Sequence, residues 1–143
     1  IIQQFIKSLL LGSLLLTPLV QAEEGQIVLT LEGIKNATGN LRASLYELPE
    51  TFRKEDKALK VISVPAIEGK TQIVFQNLPA GRYAIMVYHD ENADDKLKLR
   101  FGMFPLEGYG LSNNPKVMGP PKFADSAFEH GGATTNINIP LTY

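Results

Sequence analysis

From residue 26 onward, apolar and polar positions alternate in short runs separated by turn-forming residues. Ile27, Leu29 and Leu31 alternate with Gln26, Thr30 and Glu32, which predicts a half-buried strand over residues 26–34. Asn36-Ala37-Thr38-Gly39-Asn40 follows as a turn, and a second strand over 41–48 stops before Pro49; the two predict a hairpin. Residues 51–60 are charged and lack alternation, so they predict a short helix capped by Thr51 and ending near Lys57 or Ala58. Strands are predicted again over 61–65, 72–75 and 82–88. A closing strand over 134–142 sets Ile137, Ile139 and Leu141 against Asn136, Asn138 and Pro140.

Short strands with turns between them, and no long stretch of helical period, predict an all-β fold: an antiparallel, Greek-key-like sandwich of about seven strands. The interruption over 91–132 is too long for an ordinary connection, so an ordered surface excursion is expected there. Phe101, Phe104, Tyr109, Phe123 and Phe128 are its candidate anchors. Phe123, Ala124, Ala127 and Phe128 fit one helical turn closing an open edge or end of the sandwich.

The first 22 residues follow a different pattern. Lys7 precedes an apolar run from Ser8 to Leu16, and Val20 and Ala22 stand just before Glu23-Glu24. Basic, then apolar, then small is the order of a secretory signal peptide, with cleavage expected after Ala22. The apolar run is too short to span a bilayer permanently, which takes about 20 residues. Residues 23–143 are then one domain, periplasmic or secreted, with no stable membrane insertion after cleavage. Loss of Lys7 moves the formal charge from −1 to −2, which supplies no electrostatic basis for binding nucleic acid. The chain has no cysteine, so disulfides, thiolate metal sites and cysteine nucleophiles are excluded.

Four motifs in order, NLPAGRYAIMVYHDEN (77–92), PLEGYGLSNN (105–114), GPPKFADSAFEHGG (119–132) and INIPLTY (137–143), resemble the bacterial domain of unknown function family 2141. The likeness covers residues 26–143. It implies a secreted, compact β-sandwich of the transthyretin or prealbumin-like kind, and it implies no established activity. The chain departs from the family pattern at Lys98, where members often carry an acidic residue. Gly102-Met103-Phe104-Pro105 likewise replaces a glycine-isoleucine-proline approach.

The densest candidate chemistry begins where the strand over 82–88 ends. Asp90, Asn92 and Asp94 stand at alternate positions, the spacing by which a calcium loop presents oxygen ligands, with Glu107 as a more distant contributor. An EF-hand would require Gly at Asp95 and Glu at Phe101, so the alternative is a solvated turn whose side chains cap backbone amides. His89, Glu107, Tyr109, Ser112, Asn113 and Asn114 form a polar and aromatic set suited to a binding surface. Alternatively, Tyr109 and its flanking glycines simply fasten the excursion to the sheet. Ser112 and Ser126 lie in no GxSxG elbow, and His89 and His130 show no metal-ligand spacing.

The leading expectation is a non-enzymatic extracytoplasmic binding or interaction module with no catalytic residue and no cofactor, calcium excepted. Its partner would be an envelope or extracellular ligand or protein. The alternatives are a calcium-stabilised structural domain of the cell envelope, and a hydrolase of envelope carbohydrate or peptide.

Overall fold

The computed structural model describes residues 12–16, 24–97, 99–100, 104–105 and 107–143. The expected signal peptide therefore lies almost wholly outside the described residues, as do Lys98, Phe101, Gly102 and Met103. Among the described residues no helix is long and apolar enough to cross a membrane.

Among the described residues ten strands follow in chain order: β1 (Gly25–Ile34), β2 (Asn40–Tyr46), β3 (Lys60–Pro65), β4 (Gly69–Leu78), β5 (Gly81–Asp90), β6 (Leu99–Arg100), β7 (Phe104–Pro105), β8 (Tyr109–Leu111), β9 (Phe128–His130) and β10 (Thr134–Pro140). A single turn of α-helix, α1, spans Phe123–Ser126. One sheet has the order β10-β1-β4, and the larger has β3-β2-β5-β8, with β9 also on β5. β6 and β7 form a separate two-stranded ribbon.

The two sheets face each other across one core. Ile27, Leu29 and Leu31 point inward from β1, meeting Leu41, Ala43 and Leu45 of β2 and Tyr83, Ile85 and Val87 of β5. Most are fully buried, so the period-two pattern marks the inner face of each strand. The architecture is an all-β sandwich of two sheets.

Three expectations are corrected. β1 and β2 do not form a hairpin: β1 pairs with β4 and β10, and β2 with β3 and β5. Residues 35–39 carry the chain from one sheet to the other, through an Asn36 side chain that accepts the Thr38 amide at 2.9 Å. A hairpin and a sandwich corner both need a turn between alternating strands, so local pattern does not separate them.

The sheets are also not wholly antiparallel, since β1 and β10 run parallel. β10 starts beside the start of β1, where a Cβ on Gly25 would stand 1.8 Å from the Ala133 carbonyl oxygen. Two strands entering at the same end must run the same way. Finally, Thr51 caps no helix. Its hydroxyl donates to the Leu48 carbonyl at 3.2 Å, and the helical turn that follows is a 3-10 turn at Glu55–Lys57.

The excursion after β5 contributes to the fold. β8 pairs with the second half of β5 and β9 with its beginning, so both continue the same edge of the larger sheet. Phe123 packs on the outer face of that sheet with Tyr46, Phe52, Ala84 and Leu111. Phe128 belongs to β9, not to the helical turn, and packs on the main core.

Candidate functional site

β5 sends alternate side chains to opposite faces, and this separates the residues expected to act together. His89 continues the inner face and is fully buried. Its Nε2 lies 2.6 Å from the Thr38 carbonyl oxygen, which only accepts, so Nε2 carries the proton. Nδ1 then accepts from the Tyr143 hydroxyl at 2.6 Å, and that hydroxyl in turn accepts the Lys35 amide at 3.1 Å. His89 thus ties the 35–39 corner and the chain's last residue to β5, and it is not at a surface. His130 is engaged in the same manner, by Thr135 Oγ1 at 2.7 Å and the Leu78 carbonyl at 3.2 Å.

Asp90 is fully buried. Its Oδ1 accepts the Asp94 amide at 3.2 Å and its Oδ2 the Asp95 amide at 2.7 Å, fixing the turn that follows β5. Asp90, Asp94 and Glu107 each bring one carboxylate oxygen within 4.8 Å of the others. The Asn92 side-chain amide donates to Asp94 Oδ2 at 3.2 Å. The spacing of Asp90 and Asp94 therefore converges in space, while the third carboxylate comes from 17 residues beyond Asp90 in sequence.

Of the remaining residues of the expected surface, Tyr109 and Asn114 line one small recess of about 170 Å³. Ser112 is fully buried, donating to the Ser126 carbonyl at 2.5 Å and accepting the Ile85 amide at 2.9 Å. Asn113 donates to the Ala127 carbonyl at 2.7 Å, and Asn113 and Asn114 hold positive φ values of 65° and 42°. Asparagine tolerates that region better than most residues, so both shape the turn after β8. Neither histidine contacts a serine hydroxyl among the described residues.

Among the described residues one recess, of about 450 Å³, lies beside Gly25, Asn77 and Thr134, and another lies on the outer face of the larger sheet. There Ser44 and Tyr46 of β2, Met86 and Tyr88 of β5, and Tyr109 and Leu111 of β8 form the floor of a recess of about 390 Å³. Arg53 and Glu55 supply one wall, and Leu97, Pro105, Val117, Pro120 and Pro121 the other. Register explains the floor: Ser44 stands opposite Met86, Met86 opposite Leu111, and Tyr88 opposite Tyr109. These side chains face away from the core and are covered only by the excursion and the 47–59 connection.

One end of the recess is charged. Arg42, opposite Tyr88, binds Glu55 through Nε, and its Nη1 lies 3.2 Å from Asp95 Oδ1. Burial alone would lower the Arg42 pKa, but the Glu55 carboxylate reverses this and holds it above its ordinary value. Tyr88 is 5% exposed, and its hydroxyl has no hydrogen-bond partner among the described residues. Burial, reinforced by Glu55, pushes its pKa well up. Burial also pushes Tyr46 up to about 12, against the opposing pull of the Ser44 hydroxyl. Both phenols are therefore neutral at physiological pH.

Of this lining, sequence reasoning singled out Tyr109. It missed Arg42, Ser44, Tyr46, Arg53 and Glu55. The available signal was the outward face of β2, where Arg42, Ser44 and Tyr46 alternate with core residues, but nothing local says that a distant loop roofs that face.

Fold and site together define a two-sheet all-β domain with a roofed recess on the outside of its larger sheet. The chain belongs to the family described as an uncharacterised protein conserved in bacteria (DUF2141), whose model matches residues 29–138. No curated protein and no solved structure matches the chain.

Proposed function

We propose that this protein is an extracytoplasmic, non-enzymatic binding module whose ligand site is the recess over β2, β5 and β8. The observation that carries this reading is the recess itself. Close-packed domains leave few voids of this kind, and about 390 Å³ falls within the usual range for small-molecule sites. Its lining has the corresponding composition, with apolar and aromatic walls and a few polar groups at one end. The extracytoplasmic assignment rests on the basic, apolar and small order of residues 1–22.

The absence of tryptophan makes the test direct. Val117→Trp places one indole at the wall of the recess, and Val61→Trp places one on β3, outside it. A small-molecule extract of the bacterial envelope is expected to change the indole emission of the Val117→Trp protein saturably and to leave that of the Val61→Trp protein unchanged. Equal responses from both, or none, would overturn the reading. Envelope fractionation with N-terminal sequencing checks location, the expected mature start being Glu23.

A calcium-stabilised envelope domain is a second reading, favoured by the convergence of Asp90, Asp94 and Glu107. Hard cations bind several carboxylate oxygens at once, and a bound ion would offset repulsion among the three. Calcium added after chelator treatment is expected to raise the melting temperature by several degrees in the native chain and not in Asp90→Asn/Asp94→Asn. No rise in the native chain removes this reading.

A further inference from the structure

Resting on the recess as the ligand site, we propose that its ligand is a small organic cation: an ammonium group held at the Glu55 end and an apolar body lying against the tyrosine rings and prolines. Two independent features of the recess point this way.

The first is charge. Glu55 lines the recess, and its guanidinium partner Arg42 is shared with Asp95, which lies 3.2 Å from Arg42 Nη1. Asp95 is joined through its amide to the fully buried Asp90. Two carboxylates, Glu55 and Asp95, thus share one guanidinium, and Arg42 is the one cation ion-paired with either of them among the described residues. Glu55 keeps 28% of its side chain exposed, so its carboxylate is accessible from the recess. Arg53, the other charged residue of the lining, stands on the same wall and makes no ion pair with Glu55 or Asp95.

The second is the aromatic lining. Tyr46, Tyr88 and Tyr109 all contribute to the recess, and Tyr46 and Tyr88 stay neutral over the physiological range. Neutral phenol faces attract cations through the ring quadrupole, most strongly where water is excluded. The Tyr88 hydroxyl, buried and without a partner among the described residues, belongs to the same charged end. A carboxylate ligand would meet repulsion there, and a neutral ligand would leave the excess charge uncompensated. An amphipathic ammonium satisfies both features, while Leu97, Val117, Pro120 and Pro121 cover its hydrocarbon part.

The test compares three probes sharing one phenyl body by calorimetric titration of the full chain at pH 7: phenethylammonium, phenethyl alcohol and hydrocinnamate. The ammonium is expected to bind at least roughly tenfold tighter than the alcohol, and the carboxylate most weakly. Glu55→Gln is expected to bring the ammonium down to the alcohol's affinity, with the circular dichroism melt of the variant showing that it is folded. Asp95→Asn, a change outside the recess, is expected to weaken only the ammonium, by about threefold. Equal binding of all three probes, or tightest binding of hydrocinnamate, overturns the cationic ligand and leaves the recess as the binding site. Binding by none of the three overturns this proposal, and the indole reporter of Val117→Trp then decides separately whether the recess binds anything.

Discussion

Tyr88→Phe should make this protein more stable. Tyr88 is 5% exposed, and its hydroxyl has no hydrogen-bond partner among the described residues. A buried hydroxyl without a partner costs about 1–3 kcal/mol of desolvation. Phenylalanine keeps the ring and removes that cost, leaving a void of one oxygen atom worth only about 0.3 kcal/mol. The net gain is therefore about 1–2 kcal/mol at pH 7, or a rise of about 3–8 °C in melting temperature for a domain of this size. The gain should widen in alkali. The phenol of the unfolded chain ionises near pH 10, while burial and Glu55 push the folded-state pKa above that value. Below pH 10 neither state ionises and the full stability is present. Above it the unfolded chain loses its proton first, and native stability falls by about 1.4 kcal/mol per pH unit from this residue alone. The variant escapes that loss. Urea melts of both proteins at pH 7 and pH 11 measure the effect, and a variant no more stable than the native protein at pH 7 would refute the reasoning.

Tyr46→Phe should flatten the same alkaline decline between about pH 10 and the Tyr46 value of about 12, as pH-dependent melts would record. Tyr143→Phe withdraws the donor to His89 Nδ1, 2.6 Å away in a fully buried ring, and should cost about 1–3 kcal/mol in urea denaturation. Gly39→Ala and Gly69→Ala make a controlled pair, since both glycines have positive φ, 71° and 92°. A Cβ at Gly39 would stand 2.0 Å from the Asp90 carbonyl oxygen, whereas none lies within 4 Å at Gly69. Gly69→Ala should lose about 1–2 kcal/mol from backbone strain alone, and Gly39→Ala should lose more than about 4 kcal/mol or fail to fold, as circular dichroism and solubility would show.

The inner faces were legible in the sequence. Ile27, Leu29 and Leu31, or Tyr83, Ile85 and Val87, alternate because a strand buries every second side chain, and the structure places them in one core. Strand partners were not legible. β1 has the same alternation whether it turns back on itself or crosses to the other sheet, and the Asn36–Asn40 turn serves either course. The helical turn of the excursion was anticipated but its partner surface was not: Phe123 meets Phe52 with ring centroids 6.0 Å apart, 71 positions away in the chain.

The candidate site divides in the same way. Asp90 and Asp94 signalled their proximity through alternate spacing in one turn, and Glu107 joins them because β8 brings the chain back alongside β5. The register that makes Tyr83, Ile85 and Val87 core residues extends to His89, but its partner Tyr143 was not legible. The burial of His89 follows from facing inward on β5 and from Tyr143 arriving from the far end of the chain.

By itself the sequence determined the all-β class, the inner face of each main strand, the basic, apolar and small order of residues 1–22 and the exclusion of cysteine chemistry. These are local or compositional properties, set by side-chain period, apolar run length and residue inventory. Tertiary structure alone decided that β1 and β10 run parallel, that His89 and Ser112 are internal ties, and that Tyr46, Glu55, Tyr88 and Tyr109 share one recess. Those outcomes depend on which strands pair and which loop covers which face, and they are set by long-range burial between segments that carry no local record of one another.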